Sequence, residues 1–339
     1  MKAAVLTRDS LEISVQDVKK PKPSKGEVII KVKNFAINRV DLILRDSWLN
    51  SSKSSPHVLG TDFSGVIHEL GIGVSSIKID DRVLVNPGIS CMECLSCRKG
   101  EQSLCNDFQI LGYGVWGGAA EYVKVPAHNV LKIPDNLSFE LAAAAPLTTL
   151  TVYRMLVSKA RLSPGELVLV LGAGGGIGTI AIQMVKVMGG RVIALTSTEK
   201  VQQVKELGAD FVLDYKHDLD WDKKILEFSQ GVDITIDPVG ESTWEKSLQI
   251  LAKGGRHVVI GVTTGTLGST HIRNLYSKQA YIMGSYMSNN REFVEAMQFI
   301  FTGQIKPVLD SIQSMERLGD GIEKMARNRH IGKLVFTVG

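Results

Sequence analysis

The fold is decided by the stretch Glu166-Leu-Val-Leu-Val-Leu-Gly-Ala-Gly-Gly-Gly-Ile-Gly178, which joins an apolar run to a glycine-rich segment. The unbroken apolar run Leu167–Leu171 predicts a parallel strand that is buried on both faces. The residues that follow, 179–188, repeat their apolar side chains at helical spacing. A strand, a glycine turn and a helix in this order set a pyrophosphate against a helix N-terminus, where free N–H groups and the helix dipole favour negative charge. The stretch therefore predicts a dinucleotide site, and the alternative is a tight turn in an ordinary βα unit.

The size and composition of the chain exclude several classes of protein. Its 339 residues predict two domains and a large core. Charged residues make up 22% and the formal net charge is only +4, so neither nucleic acid nor a membrane surface is expected as a partner. Charged side chains within residues 1–15 leave no apolar core for a signal peptide, and the most apolar long region, 141–156, contains Pro146 and Arg154. We therefore expect a soluble, cytoplasmic protein.

The pattern of strands and helices changes along the chain. Residues 1–137 contain short strand patterns separated by Gly and Pro, which predict a small β-barrel or sandwich. After two helical patterns, at 138–145 and 149–159, strands and helices alternate from residue 166 to 284, and this alternation predicts a doubly wound parallel sheet. A helix pattern at 291–301 leads to a tail with a strand signal at 332–337. We assign this last strand to the N-terminal β region.

All four cysteines lie in one short segment, with the spacing C-x2-C-x2-C-x7-C over Cys91, Cys94, Cys97 and Cys105. Four thiolates close the tetrahedral shell of zinc and leave no open position for chemistry, so this spacing predicts a structural zinc site. Disulfides and an iron–sulfur cluster are the alternatives. Metal is favoured over disulfides because the cysteines are closely set in a chain without a recognisable export signal.

A four-cysteine loop in a β-rich region, followed by a glycine-rich nucleotide fold, resembles the medium-chain dehydrogenase/reductase family over the full length of the chain. The resemblance includes Pro87-Gly88, Leu150-Thr-Val-Tyr153 and Gly332-Lys333. It implies an α/β protein in which a Rossmann doubly wound parallel sheet, residues 149–287, is inserted into a GroES-like β-barrel catalytic domain. That catalytic domain is then formed by residues 1–148, which include the zinc loop at 91–105, and by residues 288–339.

The positions that hold a catalytic zinc in alcohol dehydrogenases of this family are altered in this chain. By resemblance they are Asn38, Thr61 and Leu147, which together cannot hold a zinc ion against water. We therefore expect no catalytic zinc. The pattern Asn38-Arg-Val-Asp41 instead resembles the quinone oxidoreductase and enone reductase branch, which transfers hydride without a metal.

Four polar residues at or next to the altered zinc positions are candidates for the catalytic site. Asn38 and Arg39 would bind or polarise the acceptor carbonyl as negative charge develops on its oxygen. Asp41 and Asp62 would order the pocket. A tyrosine that some quinone reductases carry two residues after the Asp is replaced by Ile43, so the proton donor is unassigned and solvent is one candidate. Trp48, Tyr113, Trp116 and Tyr286 are aromatic candidates for the pocket wall.

The second strand of the nucleotide fold predicts which nicotinamide is used. NAD-specific folds place a carboxylate at the end of this strand, where it accepts hydrogen bonds from the ribose 2′-OH. Here Thr196 occupies that position, and Glu199 is expected to form a capping box with it. A 2′-phosphate could bind Thr196, Ser197 and Lys200, with Tyr215 at the position of a family tyrosine that flanks the phosphate. We therefore favour NADP(H) over NAD(H); the alternative is that Ser197 and Lys200 are merely solvated residues at a helix start.

Further cofactor positions are implied by the family resemblance. Gly176 and Ile177 would offer backbone N–H groups to the pyrophosphate, while Gly175 and Gly178 would allow its close approach. Residues at strand ends would hold the nicotinamide, although ordinary turn chemistry explains them equally well. The remaining candidates are Thr151, Gly261, Val262, Thr263, Gly284, Ser285 and Lys333.

These features give three hypotheses for the function. The first is an NADPH-dependent reductase of a quinone or an α,β-unsaturated carbonyl compound, with one structural Zn²⁺ per chain. The second is an NADP(H)-dependent alcohol dehydrogenase or carbonyl reductase, either metal-free or with unusual metal ligands. The third is a structural or sensing protein that binds NADPH without turnover. Members of the family pair through the last strand of the nucleotide sheet, here residues 280–284, so the resemblance implies a homodimer or homotetramer.

Overall fold

The computed structural model describes residues 1–7, 10–48 and 55–339. These residues form two compact units, one from Met1–Leu150 with Ser288–Gly339 and the other from Thr151–Met287. The first unit is therefore discontinuous in sequence and the second is a single segment. The boundary expected between residues 148 and 149 lies inside the helix Pro146–Tyr153.

Most of the strands belong to the first unit, which also contains short helices. Its strands are β1 Lys2–Thr7, β2 Ser10–Asp17, β3 Glu27–Ala36, β4 His57–Val58, β5 Asp62–Leu70, β6 Arg82–Val85, β7 Gly88–Ile89, β8 Gln109–Ile110, β9 Tyr122–Pro126, β10 Val130–Lys132, β17 Leu309–Ser314 and β18 Lys333–Thr337. Its helices are α1 Arg39–Ser47, α2 Leu95–Arg98, α3 Phe139–Ala144, α10 Asn290–Phe301 and α11 Leu318–Ala326, while α4 Pro146–Tyr153 crosses into the second unit.

The strand β3 organises the first unit. It pairs antiparallel with β5, β9 and β18 within a seven-stranded sheet. Six of the strands follow the order β10-β6-β5-β3-β18-β17, and the seventh, β9, pairs with β3. Phe35 of β3 and Phe336 of β18 stack at 5.1 Å between ring centroids, and both are fully buried. The assignment of the tail strand to the N-terminal β region is therefore confirmed.

The second unit is a six-stranded parallel sheet with helices between its strands. The strands are β11 Leu167–Leu171, β12 Arg191–Thr196, β13 Phe211–Asp214, β14 Val232–Asp237, β15 Leu251–Val259 and β16 Tyr281–Gly284. The helices are α5 Gly176–Val187, α6 Val201–Glu206, α7 Trp221–Phe228, α8 Glu241–Gln249 and α9 Ile272–Ser277. The strand order is β13-β12-β11-β14-β15-β16, so the doubly wound fold is confirmed. Its order reverses between β11 and β14, where such sheets bind ligands.

The two helical patterns before this sheet differ slightly from expectation. The first is α3, which Ser138 caps by accepting a hydrogen bond from the N–H of Leu141. The second starts at Pro146 instead of residue 149, because proline is favoured in the first turn of a helix. It continues as a π-helix over Arg154–Lys159. Among the residues that the structure describes, no helix is long and apolar enough to cross a membrane.

Candidate active site and zinc centre

The glycine turn joins β11 to α5 at the centre of the parallel sheet. All five residues of β11 are buried, as the apolar run predicts. Gly172 turns the chain with a φ of 59°, a conformation that favours glycine. The first helical bond of α5 runs from the N–H of Thr179 to the carbonyl of Gly175. The N–H groups of Gly176 and Ile177 therefore have no acceptor within the helix, which is the arrangement that binds a pyrophosphate.

Two further glycines of this turn serve close packing. A Cβ at Gly178 would lie 2.5 Å from the Cα of Ala173, so this glycine lets α5 pack against the turn itself. A Cβ at Gly174 would lie 2.4 Å from Cδ of Lys200 and 3.1 Å from Oγ1 of Thr196. Lys200 and Thr196 therefore lie directly beside the glycine turn. The sequence did not single out Gly174, because its role depends on a side chain 26 residues away.

The end of β12 differs from the expected capping box. β12 extends through Thr196, and a 3-10 helix begins at Thr198, with Ser197 preceding it. Glu199 forms an ion pair with Lys216 at 2.5 Å instead of capping a helix. Because Lys216 donates to it, the pKa of Glu199 falls to about 2. Thr196 and Ser197 are buried, and no acidic residue stands at the end of this strand.

The neighbouring strand, β13, brings a carboxylate to the end of β12 that was not predicted from the sequence. Asp214 pairs in register with Thr196 and accepts a hydrogen bond from the hydroxyl of Thr198 at 2.5 Å. The N–H of Tyr215 donates to the carbonyl of Thr196, and Tyr215 as a whole is 45% exposed. The cluster at this edge thus contains Lys200 and Lys216 as well as Glu199 and Asp214. Only the pairing of β12 with β13 brings these residues together.

The loops after β15 and β16 contain the other expected cofactor residues of the second unit. A Cβ at Gly261 would lie 2.6 Å from the carbonyl oxygen of Pro238, and the hydroxyl of Thr263 donates to that same oxygen at 2.8 Å. Val262 between them is 51% exposed. Gly284 has open space around it, and Ser285 is buried with no hydrogen-bond partner for its hydroxyl. An unpaired buried hydroxyl is costly, so Ser285 is suited to bind a ligand. Thr151 is a buried residue of α4.

Asp41 organises the polar cluster of the first unit. It lies in the first turn of α1 and has no exposed surface. One carboxylate oxygen accepts from the N–H of Gly60 at 2.8 Å. The other accepts from the N–H of Asn38 at 2.8 Å and from the hydroxyl of Thr61 at 3.1 Å. Burial raises the pKa of Asp41 to about 6, although these hydrogen bonds favour its charged form.

Asn38, Asp62 and Lys333 meet at one end of β3. Asn38 follows β3, while Asp62 and Lys333 begin β5 and β18, the antiparallel neighbours of β3. The carboxylate of Asp62 accepts from the amide nitrogen of Asn38 at 2.8 Å, from Nζ of Lys333 at 2.9 Å and from the N–H of Leu147 at 2.9 Å. Nζ of Lys333 also donates to Oδ1 of Asn38. Both members of the buried ion pair therefore make further hydrogen bonds, which offset part of its desolvation.

The residues at the expected metal-ligand positions do not fit a catalytic zinc. Asn38 and Thr61 are hydrogen-bonded to carboxylates, and Leu147 contributes only its backbone N–H. An ammonium group, that of Lys333, is bound to two of the oxygen atoms that a cation would need. Across residues 1–7, 10–48 and 55–339, the four-cysteine loop is the one group of three or more Cys, His, Asp or Glu residues suited to a metal.

Arg39, Trp48 and His57 lie outside the hydrogen-bonded cluster of Asn38, Asp62 and Lys333. The half-buried guanidinium of Arg39 donates to the side chain of Asn328, and burial lowers its pKa. Trp48 is only 1% exposed, belongs to the core and donates to the carbonyl of Thr7. It is therefore not a wall of an open pocket. His57 packs against Trp48, which gives this histidine a structural position.

The four cysteines form a cluster that fits zinc. Their sulfur atoms all lie within 4.8 Å of one another, and Sγ of Cys91 is 3.9 Å from that of Cys97 and 3.4 Å from that of Cys105. A tetrahedral shell with Zn–S bonds of about 2.3 Å separates the sulfurs by about 3.8 Å. Backbone N–H groups of Glu93 and Cys94 lower the pKa of Cys91 to about 7, which favours its thiolate, whereas burial raises the pKa of Cys97 to about 11.

Both halves of the fold match models of known protein families. Residues 24–135 match the alcohol dehydrogenase GroES-like domain, and residues 176–302 match the zinc-binding dehydrogenase family. An alcohol dehydrogenase of Geobacillus stearothermophilus is 35% identical over the full length of both chains. The chain belongs to the zinc-containing medium-chain dehydrogenase/reductase superfamily.

Other members of this superfamily carry different activities in their names. An acryloyl-coenzyme A reductase of Metallosphaera sedula is 34% identical, over 99% of this chain and 100% of its own. The crystal structure of an NAD-dependent alcohol dehydrogenase is 36% identical with a TM-score of 0.94, and the match covers 100% of both chains. As a medium-chain dehydrogenase/reductase, this chain is an NAD(P)-dependent oxidoreductase of small molecules.

Proposed function

We propose that the protein is an NADPH-dependent reductase that transfers hydride to a quinone or an α,β-unsaturated carbonyl compound without a catalytic metal. The observation that carries this proposal is the cluster of Asn38, Asp62 and Lys333. There, the amide of Asn38, which stands at one of the expected zinc-ligand positions, is bound to the carboxylate of Asp62 and the ammonium group of Lys333. The acryloyl-coenzyme A reductase among the relatives supports a conjugated carbonyl acceptor.

The residues of the first unit would act on the acceptor. When bound, the nicotinamide supplies the hydride, and addition to the far carbon of a conjugated C=C bond places negative charge on the carbonyl oxygen. Asn38 would stabilise that charge by hydrogen bonding, with Arg39 as an additional cation. Asp41 and Asp62, which each accept three hydrogen bonds, would order the site rather than donate protons. Water would then supply the proton.

The second unit would bind the cofactor. Gly176 and Ile177 would bind the pyrophosphate, and Thr196, Ser197 and Lys200 with Tyr215 would bind the 2′-phosphate of NADPH. The absence of an acidic residue at the end of β12 supports NADPH, whereas Asp214 and the NAD-dependent relative favour NADH. The remaining candidates of this unit, Thr151, Gly175, Gly178, Gly261, Val262, Thr263, Gly284 and Ser285, would complete the site. Lys333, which the family resemblance also implies as a cofactor residue, belongs to the first unit.

The cofactor assignment is tested by kinetics with both nucleotides. We expect kcat/KM for NADPH to exceed that for NADH with the same acceptor. Equal or higher kcat/KM for NADH would contradict the assignment and would make Asp214 a candidate for binding the ribose hydroxyls.

An alcohol dehydrogenase is the second candidate, because a relative of that name is 35% identical over the whole chain. The decisive experiment compares two initial rates: NADPH oxidation with enoyl thioesters, enones and quinones, and NADP⁺ reduction with a panel of alcohols. Faster reaction with the conjugated acceptors supports the reductase. Tight NADPH binding with no activity in either direction would favour a binding protein instead.

Metal analysis tests metal-free hydride transfer independently of the substrate. The reductase requires one zinc ion per chain, held by Cys91, Cys94, Cys97 and Cys105. Two zinc ions per chain would contradict metal-free transfer and would favour the alcohol dehydrogenase.

A further inference from the structure

The orientation of the Asn38 amide is fixed by its two partners. An ammonium group donates hydrogen bonds and cannot accept them, so the atom of Asn38 that meets Nζ of Lys333 must be its oxygen. A carboxylate accepts only, so the atom that meets Asp62 must be the nitrogen. The two partners therefore exclude the flipped amide on chemical grounds.

This arrangement leaves one donor of Asn38 available. Its amide nitrogen carries two N–H groups, and one of them donates to Asp62 at 2.8 Å. Within the described part of the chain, no partner is found for the other. Asn38 is 6% exposed, whereas Asp41 and Asp62 have no exposed surface. Asn38 is thus the member of this cluster that a ligand can most readily reach.

We propose that Lys333 and Asp62 are positioning residues that hold the Asn38 amide so that its second N–H binds the carbonyl oxygen of the acceptor. The inference rests on the proposed reductase function and names the residues that replace the metal in it. Because the donor is held before the substrate arrives, no reorganisation is required when charge develops. The family resemblance makes Lys333 a cofactor residue, whereas this geometry makes it a positioning residue. The two roles predict different kinetics for variants of Lys333.

The chemical step balances without a metal. Hydride supplied by bound NADPH would form a C–H bond at the β-carbon of the acceptor as a C–H bond of the dihydronicotinamide breaks. The electron pair of the C=C π bond would form a new π bond between the α-carbon and the carbonyl carbon, and the C=O π pair would move to the oxygen, where the N–H of Asn38 would stabilise the negative charge. A proton from water then completes the α-carbon, so the acceptor is reduced and NADPH is oxidised.

The test is a double-mutant cycle on Asn38 and Lys333. Asn38→Ala should lower kcat for a conjugated acceptor about 100-fold, as loss of an oxyanion donor does in other enzymes. Lys333→Met should lower kcat by a similar factor, and the double variant should lose no more than Asn38→Ala alone, because Lys333 acts through Asn38. Lys333→Arg, which keeps the cation, should recover part of the rate. The dissociation constant of NADPH should change less than about threefold, since the binding groups of the turn remain.

Two further variants test whether the loss of kcat comes from unfolding or from the loss of any ion pair. Lys333→Met leaves Asp62 as an unpaired buried charge and can unfold the protein, so Asp62→Asn with Lys333→Met removes both charges and should show the same loss of kcat. Lys324→Met breaks the ion pair of Lys324 with Asp310 elsewhere in the unit and should leave kcat unchanged.

Several outcomes overturn the inference. Multiplicative losses in the double variant would mean that Lys333 acts independently of Asn38. A tenfold rise in the NADPH dissociation constant with unchanged kcat would make Lys333 a cofactor residue only. Either result with an active native enzyme leaves the reductase function standing, whereas a native chain that reduces no conjugated acceptor or quinone overturns both proposals.

Discussion

At the scale of single residues, Asp41 couples the polar cluster to pH. It is fully buried, and burial raises its pKa to about 6 from an ordinary value near 4. The folded protein therefore holds this proton more tightly than the unfolded chain does. The resulting stabilisation is present below the unfolded pKa and is lost as the pH rises through about 6.

The variant Asp41→Asn tests this coupling. Because Asn does not titrate, the free energy of unfolding of the native protein should fall relative to that of Asp41→Asn by up to about 3 kcal/mol as the pH rises from 4 to 7. Urea unfolding followed by tryptophan fluorescence measures both curves. Parallel curves for the two proteins over this range would contradict the raised pKa.

Thr196 is the residue that should decide the choice of nicotinamide. Thr196→Asp places a carboxylate at the end of β12, where it would repel a 2′-phosphate and accept from a ribose hydroxyl. We expect the ratio of kcat/KM for NADPH to that for NADH to fall at least about tenfold, which corresponds to about 1.4 kcal/mol. Thr196→Ser keeps the hydroxyl and is the matched control. An unchanged ratio in Thr196→Asp would place the 2′-position of the ribose elsewhere.

At the scale of elements, the approach of α5 to β11 depends on one missing side chain. Gly178→Val would place a Cβ 2.5 Å from Ala173, so the helix would have to move away from the turn. We expect NADPH binding to weaken at least about tenfold and the protein to lose stability through overpacking of about 1–3 kcal/mol. Gly319→Ala is the control, because Gly319 lies in α11 with no atom within 4 Å of its added Cβ. Native affinity in Gly178→Val would contradict the packing role.

The zinc loop is connected to the start of α10. Gln102 donates to the carbonyl of Cys97 at 3.3 Å and accepts from the N–H of Asn290 at 3.2 Å. Asn86 donates to the side chain of Asn290 at 3.1 Å. These hydrogen bonds link the loop to the point where the chain returns to the first unit.

Loss of the zinc should therefore loosen this helix start. Cys97→Ser is expected to reduce bound zinc well below one ion per chain and to increase hydrogen exchange in residues 288–292, because metal binding supplies folding energy to the loop. Leu95→Ala, which alters a 70% exposed side chain of the same loop, should change neither. Protection of residues 288–292 that survives complete zinc loss would show that the two regions are energetically independent.

At the scale of the whole molecule, an exposed edge strand predicts association. β16 is the last strand of the six-stranded sheet, and its Tyr281 is 56% and its Ile282 37% exposed. Unpaired edge strands are templates for pairing with another chain. In agreement with the family resemblance, Ile282→Lys should convert a dimer or tetramer to smaller species in sedimentation experiments. Ile72→Lys, at an 82% exposed position of the first unit, is the control. A native protein that sediments as a monomer would contradict this prediction.

Local patterns predicted much of this architecture, and contacts between distant residues set the limit. The apolar run of β11, the glycine turn and the cysteine spacing are each contained in a few neighbouring residues. The partnership of Asp62 with Lys333 spans 271 residues and exists only because β5 and β18 flank β3. Asp214 likewise reaches the end of β12 only through strand pairing. Glu199 forms an ion pair with Lys216 instead of the expected capping box, and no local spacing in the sequence indicates this partner.

The pairing of β18 with β3 in the first unit has a consequence for how the protein is made. β18, residues Lys333–Thr337, pairs with β3 near the beginning of the chain, and the entire nucleotide-binding unit is encoded between them. During synthesis, β3 leaves the ribosome about 300 residues before its partner, whereas the parallel sheet is complete as soon as β16 emerges. Because domains fold as units during synthesis, the nucleotide-binding unit can fold first. The proposed acceptor site, which includes Lys333, can then form only after the nucleotide-binding unit has left the ribosome.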